Sequence, residues 1–241
     1  MLEELKERVT AVAKRAQSEG LCKHKSGNFS MRDTETGLVV VTPSGVDRDA
    51  LRPADCVVMD GLRVVEAATG LRPTSEALVH LRIYRERPDV VGVAHTHSQY
   101  ATTFAVLGRP IPAIVYEASY LHPSKARIPV APYGRPGTMA AADVVADAIH
   151  EADAFLMRSH GAVVVSARDV EDAYLNACYL EEIAELYYHA LTAGGALAAG
   201  AVDADGMSTG AVVGGNAAEP EALPAAELQK WAYPSEIVLS E

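Results

Sequence analysis

The chain has 241 residues, 49% of them hydrophobic, enough for a sizeable core in one compact domain with an appendage. A formal net charge of −11 argues against nucleic acid and anionic membrane surfaces as partners, because both attract faces rich in Lys and Arg. The three cysteines, Cys22, Cys56 and Cys178, are far apart and form no CxxC pair, which speaks against a disulfide framework or a cysteine zinc site and for a reducing cytoplasm.

The N-terminal stretch MLEELKERVTAVAKRAQSEG carries charge throughout, and no stretch approaches the ~18 apolar residues of a membrane span, so a soluble, unprocessed chain is expected. Within that stretch Leu2, Leu5, Val9, Val12 and Ala13 recur at helical spacing, predicting an amphipathic helix that stops at Gly20. Asn28 to Thr42 reads as strand, turn and strand, with the turn at Asp33 to Gly37. A second hairpin is predicted over Cys56 to Val65, with Asp60-Gly61 as its two-residue turn. Pro73-Thr74-Ser75-Glu76 precedes a helical pattern that begins near Thr74 and stops before Pro88.

Val90 to His97 is then a strand and Ser98 to Val106 a short helix ended by Gly108-Arg109-Pro110. Ile128 to Ala131 reads as a strand and Thr138 to Ile149 as a helix. Ala154 to Val165 is either a strand pair or one long strand broken at Gly161, and Ala167 to Leu191 is a long amphipathic helix. Hairpins followed by interleaved helices predict a mixed α/β domain with a largely antiparallel central sheet over residues 1–193. Residues 194–222 collapse to Gly, Ala, Val and scattered Asp and are read as a linker. Residues 223–241 contain a short helix that should dock on the domain or on a neighbouring subunit to bury Trp231.

The segment VGVAHTHS at 91–98 carries the first chemical signal. Residues i and i+2 of a strand share a face about 7 Å apart, so His95 and His97 can both reach one ion. Alone the pair is weak, since His-x-His also arises by chance. The best third ligand is His160, in a run apolar enough to be a central strand, with Gly161 leaving room for close approach. His80 is assigned to the surface of its helix, and His24, His122, His150 and His189 to solvated positions. Three neutral imidazoles leave an open coordination position, the arrangement of a catalytic zinc, although Mn2+ and Co2+ fit the same residues.

Glu76 at a helix start reads first as a carboxylate that stabilises the helix dipole, and Thr74 and Ser75 as caps. The same helix start also offers hydroxyls and amides to a phosphate. Ser26-Gly27-Asn28 and Thr42-Pro43-Ser44-Gly45 are turns of similar chemistry, so three such turns and a metal suggest a phosphorylated substrate.

Taken in order, SGN at 26–28, VTPSG at 41–45, RPTSE at 72–76, AHTHS at 94–98, IPAIVY at 111–116, IPVAPYGRPGT at 128–138 and SHGAVV at 159–164 resemble the class II aldolase/adducin family over most of residues 1–190. The resemblance implies a three-layer α/β/α fold and a homotetramer with active sites at subunit interfaces. It also implies zinc on His95, His97 and His160, with Glu76 as acid/base and as a fourth ligand when substrate is absent. Gly27, Asn28, Ser44, Gly45, Thr74 and Ser75 would hold the phosphate, and Tyr116 and Tyr233 would assist proton transfer. The reaction so implied is cleavage of a ketose 1-phosphate to dihydroxyacetone phosphate and an aldehyde through a metal-stabilised enediolate.

A lysine Schiff base is the other route to aldol cleavage, but Lys6, Lys14, Lys23, Lys25, Lys125 and Lys230 all fall in polar neighbourhoods rather than the apolar one such an amine needs. The alternatives on the same scaffold are a sugar-phosphate epimerase, a decarboxylase, a dehydratase, or an adducin-like binding protein without catalysis. The IPVAPY segment resembles the aldolases rather than the epimerases.

Overall fold

In the computed structural model, which describes residues 1–198 and 220–230, α1 (Glu3–Ser18) buries Val9, Val12, Ala13 and Ala16 and leaves Glu3, Glu4 and Glu7 in solvent, as its apolar spacing dictates. The first expected hairpin is present as β1 (Asn28–Arg32) and β2 (Val39–Val41). The second, β3 (Val57–Asp60) and β4 (Arg63–Glu66), turns one residue later than expected. Asp60 pairs with Arg63, so Gly61 and Leu62 form the turn, and Gly61 takes the left-handed conformation (φ 53°) that the first turn position requires.

Next come α2 (Ala77–Glu86), β5 (Gly92–Thr96) and α3 (Gln99–Leu107), the last closed by Gly108 in the left-handed region. The predicted strand at 128–131 is two strands, divided at Pro129, which has no N–H to carry a ladder through. On one side β7 (Arg127–Ile128) pairs with β6 (Ile111–Pro112); on the other β8 (Val130–Ala131) runs parallel to β9 (Ala154–Met157). The predicted helix at 138–149 is two short helices, α4 (Met139–Asp143) and α5 (Val145–Glu151), meeting at Val144.

β9 and β10 (Gly161–Ser166) form the strand-pair alternative, joined by a tight turn at 158–160. The long helix α6 (Val170–Ala198) runs past position 194, so residues 194–198 are helix rather than linker, in keeping with the high helix propensity of alanine. The remainder of the predicted linker, Trp231 and Tyr233 lie outside the described residues. The final helix, α7 (Ala225–Lys230), buries Leu228, and just before it the Leu223 N–H donates to Ala113 O at 2.9 Å. It packs beside a 3-10 helix at Tyr116–Leu121, an element the sequence pattern did not announce.

Among the described residues the main sheet has eight strands in the order β4-β3-β2-β1-β5-β10-β9-β8, antiparallel except for the β8–β9 pair. Alternation along the strands supplies two cores. Phe29, Val40, Ala94 and Val164 meet α1, α3 and α6 on one face, while Val39, Val93, Val163 and Phe155 meet α2, α4 and α5 on the other. The result is the three-layer α/β/α arrangement, with β1, β5 and β10 at the centre. Among the described residues no helix is long and apolar enough to cross a membrane.

Candidate metal centre

His95 lies on β5 beside Asn28 of β1 and Val163 of β10, facing the α2 layer, and is almost fully buried. His97 follows the strand's last residue on the same side. His160 is not on a strand: it occupies the β9–β10 turn, next to Ser159, whose φ of 57° lets the chain reverse in three residues. The turn carries His160 to the two strand histidines. A Cβ on Gly161 would lie 2.4 Å from Thr96 O and 3.2 Å from both His95 Cε1 and His97 Cδ2, so only glycine lets the turn close over the imidazoles.

Glu76 is not within the first helical turn but just before it, at the N-cap position of α2 with φ −103° and ψ 16°. Its carboxylate is buried and faces the histidines: Oε2 lies 2.9 Å from His95 Nε2 and Oε1 lies 3.0 Å from His160 Nε2. The His95 and His97 Nε2 atoms are 3.0 Å apart. One donor atom from each of Glu76, His95, His97 and His160 falls within 4.8 Å of every other.

Several features fit a bound cation. His95 Nδ1 lies 2.9 Å from Ala162 O, to which it donates, leaving the Nε2 lone pair turned inward. Glu76 Oε1 is buried yet has no hydrogen-bond partner among the described residues, because its contact with His160 is not aligned as a hydrogen bond. Lone pairs crowded around one centre are costly unless a positive charge joins them. Three imidazoles and a carboxylate are a donor set for zinc or a similar divalent ion.

The electrostatics agree. Burial would raise the Glu76 carboxyl, but the charges of His95 and His160 in close contact with it outweigh this and hold the group well below the usual carboxylate range. Burial also lowers His95, yet the Glu76 charge and its hydrogen bond overcome this and raise it. Burial, with His95 and His160 nearby, pushes His97 down to about 3. A proton on His95 and a metal ion compete for one lone pair.

A cavity of about 210 Å³ opens beside this cluster. Its lining includes Gly27, Asn28, Ser44, Gly45, Thr74 and Ser75, and it reaches Glu76, His97 and His160. Backbone bonds join two of the turns: Ser44 N–H donates to Arg72 O at 2.9 Å and Thr74 N–H to Thr42 O at 3.0 Å. Gly27 has φ 71°, and a Cβ there would meet Cys22 Sγ at 2.3 Å and His95 O at 2.7 Å, so glycine brings its turn close to the metal strand. Lys25 and Arg48 add positive charge to the lining; the buried Arg48 guanidinium donates to Gly27 O and Lys25 Nζ to Gly45 O at 2.8 Å. Arg48 carried no motif that singled it out in the sequence.

Tyr116 lies in the 3-10 helix, its hydroxyl 3.5 Å from that of Tyr120, and does not line this cavity. His80 departs from expectation: it is buried, not on the helix surface, with Nδ1 2.6 Å from Ser30 Oγ and Nε2 2.5 Å from Asn28 Oδ1. Of the other histidines, His122 is exposed and pairs with Asp153 at 2.8 Å.

The family model for the class II aldolase and adducin N-terminal domain matches residues 7–188. A 5-deoxy-D-ribulose 1-phosphate aldolase of Bacillus thuringiensis serovar kurstaki is 34% identical over 196 residues, 80% of this chain and 89% of that protein. A probable L-ribulose-5-phosphate 4-epimerase of Mycoplasma pneumoniae is 30% identical over 206 residues, 77% of this chain and 81% of that protein. A solved L-fuculose 1-phosphate aldolase superposes with a TM-score of 0.79 at 29% identity, covering 94% of this chain and 93% of that one.

Proposed function

The chain belongs to the class II aldolase and adducin family, and on that premise we propose that it is a metal-dependent aldehyde-lyase, a cytoplasmic homotetramer cleaving a ketose 1-phosphate of the ribulose or fuculose type to dihydroxyacetone phosphate and an aldehyde. The observation that carries this reading is the convergence of Glu76, His95, His97 and His160 at the edge of a cavity built from three polar turns. The three histidines would hold a divalent ion, zinc on the chemistry of the donors, which when bound would supply Lewis-acid polarisation of the substrate's oxygens.

The chain's own residues do the rest. Gly27, Ser44, Gly45, Thr74 and Ser75 receive the phosphate, with Asn28 contributing an amide hydrogen and Lys25 and Arg48 a favourable field. When the carbon–carbon bond breaks, its electron pair stays with the dihydroxyacetone phosphate half, and Glu76 returns a proton to that carbon; in condensation Glu76 removes it. Tyr116 handles the proton on the aldehyde oxygen. It does not line the cavity of its own chain, and the interface sites implied by the resemblance would bring it to a neighbour's site instead. Tyr233 is assigned to the same proton transfer from the resemblance alone.

The test combines metal analysis with a substrate panel. Purified wild type should hold close to one divalent ion per chain, His95→Ala should lose it, and one ketose 1-phosphate should release dihydroxyacetone phosphate. A wild-type protein without metal would turn the reading toward a binding module. Silence across ketose 1-phosphates, together with interconversion of pentulose 5-phosphates, would move it to the epimerase named for the Mycoplasma relative.

A further inference from the structure

Glu76 at the N-cap and His80 and Tyr84 within α2 follow at four-residue intervals, while Asn28 and Ser30 alternate on β1, and these two stripes face one another across the α2 side of the sheet. Four helical residues rise ~6 Å and two strand residues ~7 Å, so the stripes stay in step. The contacts form one continuous path. Asn28 Nδ2 lies 2.9 Å from Glu76 Oε2, His80 Nε2 2.5 Å from Asn28 Oδ1, Ser30 Oγ 2.6 Å from His80 Nδ1 and Ser30 Oγ 2.8 Å from Tyr84 OH. All five residues are buried.

The direction of every hydrogen follows from one end. The Asn28 amide presents Nδ2 to Glu76 Oε2 and Oδ1 to His80 Nε2, and an amide oxygen only accepts. His80 must then donate from Nε2, and its Nδ1 accepts from Ser30 Oγ–H. Ser30 Oγ in turn accepts from Tyr84 OH, whose single hydrogen is shared with Val91 O, to which it donates at 3.3 Å. We propose that His80 is a positioning residue for Glu76: held as the neutral Nε2–H tautomer, it locks the Asn28 amide so that Glu76 Oε2 is hydrogen-bonded and Oε1 is left free for the metal centre. Burial, the largest cause, pushes His80 down to about 3, in keeping with a ring that donates from one nitrogen and accepts at the other.

This rests on the aldolase reading only for its kinetic arm. In metal-free protein labelled with 15N-histidine, the His80 resonances, identified by their loss in His80→Gln, should show Nε2–H and an accepting Nδ1; an Nδ1–H tautomer would overturn the proposal whatever the enzyme's substrate. Kinetically, His80→Leu removes the donor and should lower kcat about 10-fold or more with little change in KM, while His80→Gln, which can still donate to Asn28, should restore most of the loss. A kcat within about twofold of wild type in His80→Leu, or a change confined to KM, would refute the positioning role. Equal losses in both variants would assign His80 to packing alone. A wild type inert toward every ketose phosphate would count against the aldolase reading, and the tautomer would still decide the proposal.

Discussion

Glu76 shows how much chemistry one residue draws from its place in the chain. The N-cap position ahead of α2 frees its side chain from the helix surface and turns it toward His95 and His160. If its task is to carry a proton, Glu76→Gln should bind metal at wild-type stoichiometry while losing about 10²–10⁴-fold in kcat, the usual range for a general acid or base. Full activity in that variant, measured by release of dihydroxyacetone phosphate, would remove Glu76 from the reaction. His95 and His97 were legible in the sequence because their spacing is local, whereas the helix start marked Glu76 first as a dipole partner and only the resemblance brought it to the site. His80 was not, although a signal existed. It sits between Val79 and Ile83 on the stripe that α2 buries, while Leu78 and Leu81 beside it are only half-buried. A histidine in the middle of an apolar stripe needs a polar partner, and the partners lie on β1, far away in sequence.

At the scale of elements, the centre depends on a hairpin turn reaching back over a strand. Gly161 makes this possible, and its backbone needs no unusual conformation, so the demand is purely one of space. Gly161→Ala should therefore fold with an unchanged far-ultraviolet spectrum and yet bind the divalent ion about 10-fold or more weakly, as followed by competition with a chromophoric chelator. Wild-type affinity would mean that the imidazoles move aside freely. Element boundaries were the less legible part of the fold. The hairpins and α1 follow from periodicity, whereas the split at Pro129 and the turn at His160 depend on which neighbour each short strand pairs with. The Asp60-Gly61 signal was displaced by one residue because Gly61 fills the first turn position rather than the second.

For the whole molecule, the position of Tyr116 poses the sharpest question. If it serves a neighbour's site, Tyr116→Phe and His95→Ala should each be nearly inactive as pure oligomers, but dissociating and reassociating them as a mixture should restore activity to roughly a quarter of the sites in a randomly mixed ring. A mixture no more active than its components would place Tyr116 at its own chain's site or nowhere near one. The exposed Val106 and Leu107 at the end of α3, and Leu186 and Tyr188 on α6, are apolar surface of the kind an oligomer covers. The four donor residues also have a consequence that is independent of catalysis. They come from the start of α2, from β5 and from the β9–β10 turn, so one ion ties a helical layer to two separate parts of the sheet. An ion that binds only the folded chain shifts folding by mass action, about 2.7 kcal/mol at a free concentration a hundredfold above Kd. Stripping it should lower Tm by about 5–10 °C, readable by calorimetry with and without chelator, and His95→Ala should abolish the difference. Supply of the ion would then set how much folded protein a cell keeps, before any substrate is met.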